Sequence, residues 1–256
     1  MQLLDRARSV FTLPPADEEV ESDDELQMTI TEHLQELRDR IIRIMIGLAV
    51  GTIIGFAAAP VTYQFLLGPA PPDFKPITIE IMEIFFNYFK IALFTGAGLS
   101  MPWTIVQVIG FVAPGLTRRE KKMLYLFMPF SALLFFGGIG FGYFFTLPFA
   151  IKFLLNFGIE YATPMIRLEN YLSFVTTFLF GMGIGFQTPA VILLLSKIGI
   201  VNSRTLGGLR KYAIVGIVVT AALITPTPDP LNQALVAVPL WLLFELGILL
   251  ARATGS

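Results

Sequence analysis

The feature that most constrains this chain is a series of long runs without a formal charge. Residues 44–63, 91–117, 123–151, 170–196 and 212–228 contain no Asp, Glu, Lys or Arg, and 230–251 contains only Glu245. A helix needs roughly 20 mainly apolar residues to cross a hydrocarbon core of about 30 Å. The runs lack the two-residue alternation of an outer-membrane barrel strand, so helices are expected. Six spans follow, at about 44–63, 84–111, 121–151, 170–196, 211–225 and 230–251, and the expected class is an all-α polytopic membrane protein.

Several details qualify those spans. Pro102, Pro129, Pro148, Pro189 and Pro239 each remove a backbone donor inside or near a run, where kinks are expected. The second helix is expected to begin near Ile84, with Lys90 snorkelling to the outer interface. The fifth span has only about 14 residues before Pro226, or about 21 Å of helix, so it must thin the bilayer or shelter behind longer neighbours.

Basic residues set the expected orientation. Arg38, Arg40, Arg43, Arg118, Arg119, Lys121, Lys122, Lys197, Arg204, Arg210, Lys211 and Arg252 fall on one side, against Lys75, Lys152 and Arg167 on the other. The positive-inside rule then places both termini in the cytoplasm. Residues 1–28, with Pro14-Pro15 and seven acids between Asp17 and Glu25, read as a disordered acidic leader attached to a membrane domain at 29–252. It lacks the basic start and apolar stretch of a cleavable signal.

Composition excludes other classes. Over 256 residues, 55% are hydrophobic and 14% charged, with a mean hydropathy of +0.72; soluble domains carry about 25% charged residues. Nucleic-acid binding is disfavoured for the same reason. There is no cysteine and one histidine, His33, in a charged stretch. Thiol chemistry, cysteine metal sites and serine-histidine hydrolysis therefore have little to work with, no metal or cofactor is expected, and the chain is read as a non-enzyme. No phosphate-binding Gly-x-x-x-x-Gly-Lys-[Ser/Thr] loop occurs.

Two polar stretches lie on the basic side. In the first, Ile30, Leu34, Leu37 and Ile41 recur at helical spacing, giving an amphipathic helix near the membrane surface that runs into span one. Glu32, Glu36 and Arg40 share a face: Thr29 with Glu32 fits a capping box, and Glu36 with Arg40 an ordinary helical ion pair. In the second, Pro114-Gly115 turns the chain and Thr117 with Glu120 fits another capping box. Against that reading of Glu120 stands its place at an interface near Phe111, where a half-desolvated carboxylate holds an arginine more strongly than in open water.

The order His33-Leu34, Glu36-Leu37-Arg38-Asp39-Arg40, Phe111-Val-Ala-Pro-Gly-Leu with Glu120, Tyr171-Leu-Ser-Phe, Gly185-Phe-Gln-Thr-Pro, and Thr225-Pro-Thr-Pro-Asp-Pro with Gln233, Pro239 and Phe244-Glu245 resembles the TatC family. TatC is the polytopic, signal-reading subunit of the twin-arginine protein translocase, and the similarity covers roughly Thr31 to Arg252. The resemblance implies a concave six-helix scaffold in the cytoplasmic membrane. It implies binding of twin-arginine signal peptides of folded precursors, assembly with single-span TatA/TatB-type subunits and with further copies of itself, and export driven by the proton-motive force. It assigns the two arginine-contacting glutamates to Glu36 and Glu120, and sets Phe111, Pro114, Leu37 and Arg38 around them. Two guanidinium groups do call for separate acceptors able to take forked hydrogen bonds.

The remaining polar residues have two readings each. Glu83 occupies the acid of the family's Pro-x-Glu-x-x-Phe element, with Phe86 following and Ile81 where many relatives have proline; a simple interfacial acid is the rival. Gln187 stands where relatives commonly have glutamate, and is either a partner-helix contact or a hydrogen bond within the bundle. Asp229 before Pro230 suits an N-cap. Glu245 is expected to meet Arg252, one heptad on, or interfacial water. A surface for single-span partners on spans five and six, including Thr220, is what the family implies. The rival classes are a small-solute secondary transporter, for which an inverted repeat and a midplane charge cluster are missing, and an intramembrane hydrolase, for which no motif is found.

Overall fold

A computed structural model describes residues 30–72, 74–113, 118–156, 165–197, 199–201, 203–225 and 229–253, the side chains of 30, 118–124, 126, 203 and 204 excepted. The expected leader, residues 1–28, and both proposed capping boxes, through Thr29 and Thr117, lie outside the described residues. Apart from an isolated bridge between Ile77 and Arg167, the described regular structure is helical. In order the helices are α1 (Ile30–Leu67), α2 (Glu83–Val112), α3 (Arg118–Phe141), α4 (Leu147–Asn156), α5 (Leu168–Gly185), α6 (Thr188–Lys197), α7 (Ser203–Gly208), α8 (Arg210–Ile224) and α9 (Pro230–Ala253).

Among the described residues, five segments are long and apolar enough to cross a membrane: Thr31–Leu67, Glu83–Val112, Phe127–Asn156, Leu168–Lys197 and Pro230–Ala253. They match five of the six expected spans. The sixth, α8, has 15 residues, or about 22 Å of helix, and is the short one the sequence pointed to. The amphipathic stretch runs into span one, as expected, and the two form a single helix of 38 residues. At about 57 Å it outreaches the hydrocarbon core by several turns.

Two spans are interrupted where proline leaves a carbonyl without its usual donor. Between α3 and α4 the chain takes a π turn, Gly142–Thr146, closed by the Leu147 N–H to Gly142 O, immediately before Pro148. An inserted residue of this kind absorbs the ring that a regular α-helix would not accept. Between α5 and α6, Pro189 has no N–H for Gly185 O, and the Thr188 hydroxyl donates to that carbonyl instead at 2.7 Å. Hydroxyl side chains commonly satisfy backbone freed in this way inside a membrane.

α5 lies at the centre. Leu172, Val175, Phe178 and Met182 are buried against Ala59 and Leu66 of α1, Ile91 and Ala92 of α2, Leu147 and Ile151 of α4, Ala221 and Ile224 of α8, and Val236 and Leu240 of α9. α1 sits at the margin and is joined to α2 by close backbone approach. Gly51 and Gly55 face Gly96 and Ala92 so closely that a methyl on Gly51 would stand 2.5 Å from Gly96 O. Small residues at four-residue spacing are the usual means by which two membrane helices approach. The Trp103 indole donates to Arg43 O at 2.9 Å and ties the same pair nearer the start of α1.

Candidate functional site

The first turns of α1 pack beside the last turns of α2, and the polar residues flagged in the sequence converge there. His33 stacks on Phe111 with ring centroids 4.4 Å apart and planes inclined at 19°. One turn on, the Arg40 guanidinium donates from Nη2 to Glu36 Oε1 and from Nη1 to Gln107 Oε1, both at 3.1 Å. A methyl on Gly110 would run into that guanidinium, so glycine there opens the space Arg40 occupies. The expected Glu36–Arg40 pair is thus present, but Arg40 is also fastened across to α2.

Glu36 is only half satisfied. Its Oε1 is taken by Arg40, whereas Oε2 is buried and has no hydrogen-bond partner among the described residues. An acceptor withdrawn from water without a donor costs about 1–3 kcal/mol, so the site favours an incoming cation or N–H group. Beside it, Arg38 is 71% exposed along its side chain and pairs with its neighbour Asp39. Leu34, Leu37 and Ile41 present an exposed apolar flank. Pro114 lies outside the described residues, and Glu120 falls in the first turn of α3 with its side chain outside them.

At the opposite end of α2 stands a different carboxylate. Glu83 Oε2 accepts from the N–H groups of Ile79 at 3.0 Å and Glu80 at 3.4 Å and from Arg167 Nη2 at 3.3 Å, while Oε1 accepts the Glu169 N–H at 3.2 Å. Backbone bonds from Ile77 N to Ile166 O and from Leu168 N to Ile77 O complete a clamp between the start of α2 and the start of α5. Lys90, expected to snorkel, donates to Ser173 Oγ at 2.8 Å and lies 3.9 Å from Glu169.

The other flagged residues are dispersed. Gln187 accepts from Ser131 Oγ and donates from Nε2 to Ser131 O at 3.0 Å, bridging two spans within the bundle. Both residues line a groove of about 230 Å³ with Thr104, Phe127 and Ile184. Asp229 caps α9, accepting from the Asn232 N–H at 2.8 Å, as its position before Pro230 suggested. Thr220 donates back to Gly216 O within α8. A shallow apolar depression of about 240 Å³ between α8 and α9, lined by Ile214, Ile217, Val218, Ala237, Val238 and Trp241, lies elsewhere on those helices. Glu245 does not follow the expectation: its partner is Arg210 at the start of α8, 2.8 Å away, rather than Arg252. Arg252 is one heptad along the same helix, about 10 Å up its axis, whereas α8 begins beside α9 at the level of Glu245.

Sequence reasoning missed Gln107, Gly110, Ser131, Arg210 and Arg167 as partners. Each meets its flagged residue across a long sequence separation, and no short-range spacing encodes such a meeting. Among the described residues no group of three or more His, Asp or Glu is placed to hold a metal ion.

Fold and site together define an all-helical polytopic membrane protein with a cluster of polar side chains at one end of its first two spans. The family described as TatC, Sec-independent protein translocase protein, matches residues 32–239. The chain is 37% identical over 226 residues to the Sec-independent protein translocase protein TatC of Carboxydothermus hydrogenoformans, covering 88% of this chain and 93% of that one. It is 36% identical to TatC of Deinococcus radiodurans (86% and 84% covered) and 34% identical to the chloroplastic TATC of Arabidopsis thaliana (98% and 74%). A crystal structure of the twin-arginine translocase receptor TatC superposes with a TM-score of 0.79 at 36% identity, covering 88% of this chain and all of that one. The chain belongs to the TatC family: it is a multi-pass membrane subunit of the twin-arginine protein translocase, not an enzyme.

Proposed function

We propose that the Glu36 end of the bundle reads signal peptides bearing two consecutive arginines. The observation that carries this reading is the Glu36 carboxylate, oriented through one oxygen by Arg40, itself held by Gln107, with the other oxygen out of water and without a donor among the described residues. Guanidinium fits such an acceptor better than ammonium, because its planar fork supplies donors in a fixed geometry. Glu120, in the first turn of α3, is the second acceptor. Leu37, Arg38, Phe111 and Pro114 form the surround, with the Leu34–Leu37–Ile41 flank meeting the apolar part of the peptide.

In this reading both termini are cytoplasmic, following the basic residues. Single-span TatA/TatB-type subunits and further copies of the chain assemble on the bundle to pass folded precursors across the cell membrane at the expense of the proton-motive force. The depression between α8 and α9 and the Gln187 groove are apolar surfaces suited to such partner helices.

Site-specific photocrosslinking tests the reading. A probe at position 120 should capture a twin-arginine signal peptide and lose it when both arginines are replaced by lysine. Glu36→Ala and Glu120→Ala, made separately in the assembled complex, should each weaken capture without reducing membrane insertion. Undiminished capture in both variants, or equal capture of the lysine peptide, refutes the assignment.

A further inference from the structure

The turn that leads into α2 carries an apolar surface that the recognition site does not use. Ile81 is 99% exposed, and Ile79, Met82, Ile84, Phe85 and Phe86 are each more than half exposed. Sequence alone marked Ile81 only as a departure from the family's proline. The structure gives it a setting: Ile81, Phe85, Phe89 and Leu93 recur every four residues and are all exposed, so one stripe runs down the outer side of the spanning helix and continues past its first residue onto the turn.

The backbone of the turn is prepared for a poorly hydrated environment. The Ile79 and Glu80 N–H groups go to the Glu83 carboxylate, the Glu83 N–H to Glu80 O and the Phe86 N–H to Met82 O. Unsatisfied backbone is what keeps most turns out of lipid, and at these four positions it is satisfied internally. Charges rim the apolar tip: Lys75 and Glu80 are exposed, and Arg167 joins Glu80 to Glu83. An apolar tip with four of its backbone N–H groups satisfied internally and a charged rim suits the boundary between acyl chains and headgroups.

The geometry points to the turn at Ile81 as a membrane-interface wedge, its apolar side chains seated in the leaflet at the Glu83 end and its depth fixed by the Glu83–Arg167 clamp. The occupant is lipid rather than a second copy of the chain, because the stripe is continuous with an exposed apolar face running along a helix long enough to span the membrane. It rests on the chain spanning a membrane and is independent of how signal peptides are read.

The chain has no cysteine, so a nitroxide is introduced at one position at a time in the full chain reconstituted into phospholipid vesicles. Ile81→Cys and Phe85→Cys are compared with Ile53→Cys, exposed in mid-span, and Lys75→Cys, on the exposed rim. Collision with oxygen reports lipid, and collision with a water-soluble nickel chelate reports water. At 81 and 85 the ratio of oxygen to nickel accessibility should exceed that at 75 several-fold and approach that at 53. A ratio at 81 and 85 equal to that at 75 overturns the proposal, showing a turn standing in water. Low accessibility to both reagents with dipolar broadening also overturns it, showing a face covered by another copy. Ile81 is fully exposed, so its replacement removes no packing, and the label at 85 gives an independent reading.

Discussion

The α1–α2 contact makes a sharp test of how this bundle is held together, because α2 carries two glycines two residues apart with opposite surroundings. A methyl on Gly96 would stand 2.5 Å from Thr52 N and Cα and 2.7 Å from the Gly51 carbonyl carbon, all backbone, whereas a methyl on Gly98 meets nothing within 4 Å. Ordinary contact begins at 3.4 Å, so Gly96→Ala must part the two helices by roughly 0.9 Å. A radial gap of about 0.5–1 Å forfeits a quarter to a half of the dispersion energy between facing atoms, and α1 has little other packing. Overpacking of this kind costs about 1–3 kcal/mol, and the obstacle here is backbone that cannot rotate away, so about 2–3 kcal/mol is expected. Both substitutions share the gain of about 0.5–1 kcal/mol from replacing a helical glycine, so their difference isolates the steric cost. Steric-trap unfolding in bicelles should find Gly96→Ala less stable than Gly98→Ala by about 2–3 kcal/mol. Equal stabilities would show that the α1–α2 approach does not depend on the absence of a Cβ.

Two further substitutions address single contacts. Gln187→Ala removes both bonds to Ser131 and should cost about 1–2 kcal/mol in the same assay, as interhelical hydrogen bonds in membranes are individually modest. Gln187→Glu sets an acceptor where Nε2 now donates to Ser131 O; only the protonated carboxyl restores the donor, so stability should be retained at low pH and lost as pH rises. Asp229→Ala, which deprives the Asn232 N–H of its cap, should cost about 1 kcal/mol, whereas Asp229→Asn should restore most of that loss.

What the sequence disclosed follows from the range over which each signal acts. A span announces itself within about 20 residues, because the bilayer demands apolarity along its whole length, and the short α8 was legible for the same reason. The Asp229 cap and the Glu36–Arg40 pair are likewise four-residue relations. The run of the amphipathic stretch into span one was legible as well, because helical spacing continues without a break from Ile30 into the apolar segment. The pairings Arg40–Gln107, Gln187–Ser131, Glu83–Arg167 and Glu245–Arg210 join residues at least 35 positions apart. They arise only once the helices are packed, so the nearest basic residue in sequence, Arg252, was the wrong partner for Glu245.

The two carboxylates at opposite ends of α2 show why a glutamate near a membrane surface does not declare its role by position. Glu83 has four donors on its two oxygens, three of them backbone N–H groups from two chain segments. Nothing is left for a ligand, and displacing any donor would open the α2–α5 clamp, so its role is to hold. Among the described residues Glu36 has one donor, and that donor is itself tethered to Gln107 in the space left by Gly110. The tether fixes the carboxylate without saturating it, and the second oxygen has no donor among the described residues, which is the pre-organised acceptor that the proposed reading of signal peptides requires. Identical in chemistry, the two groups differ in how many of their lone pairs the fold has already used.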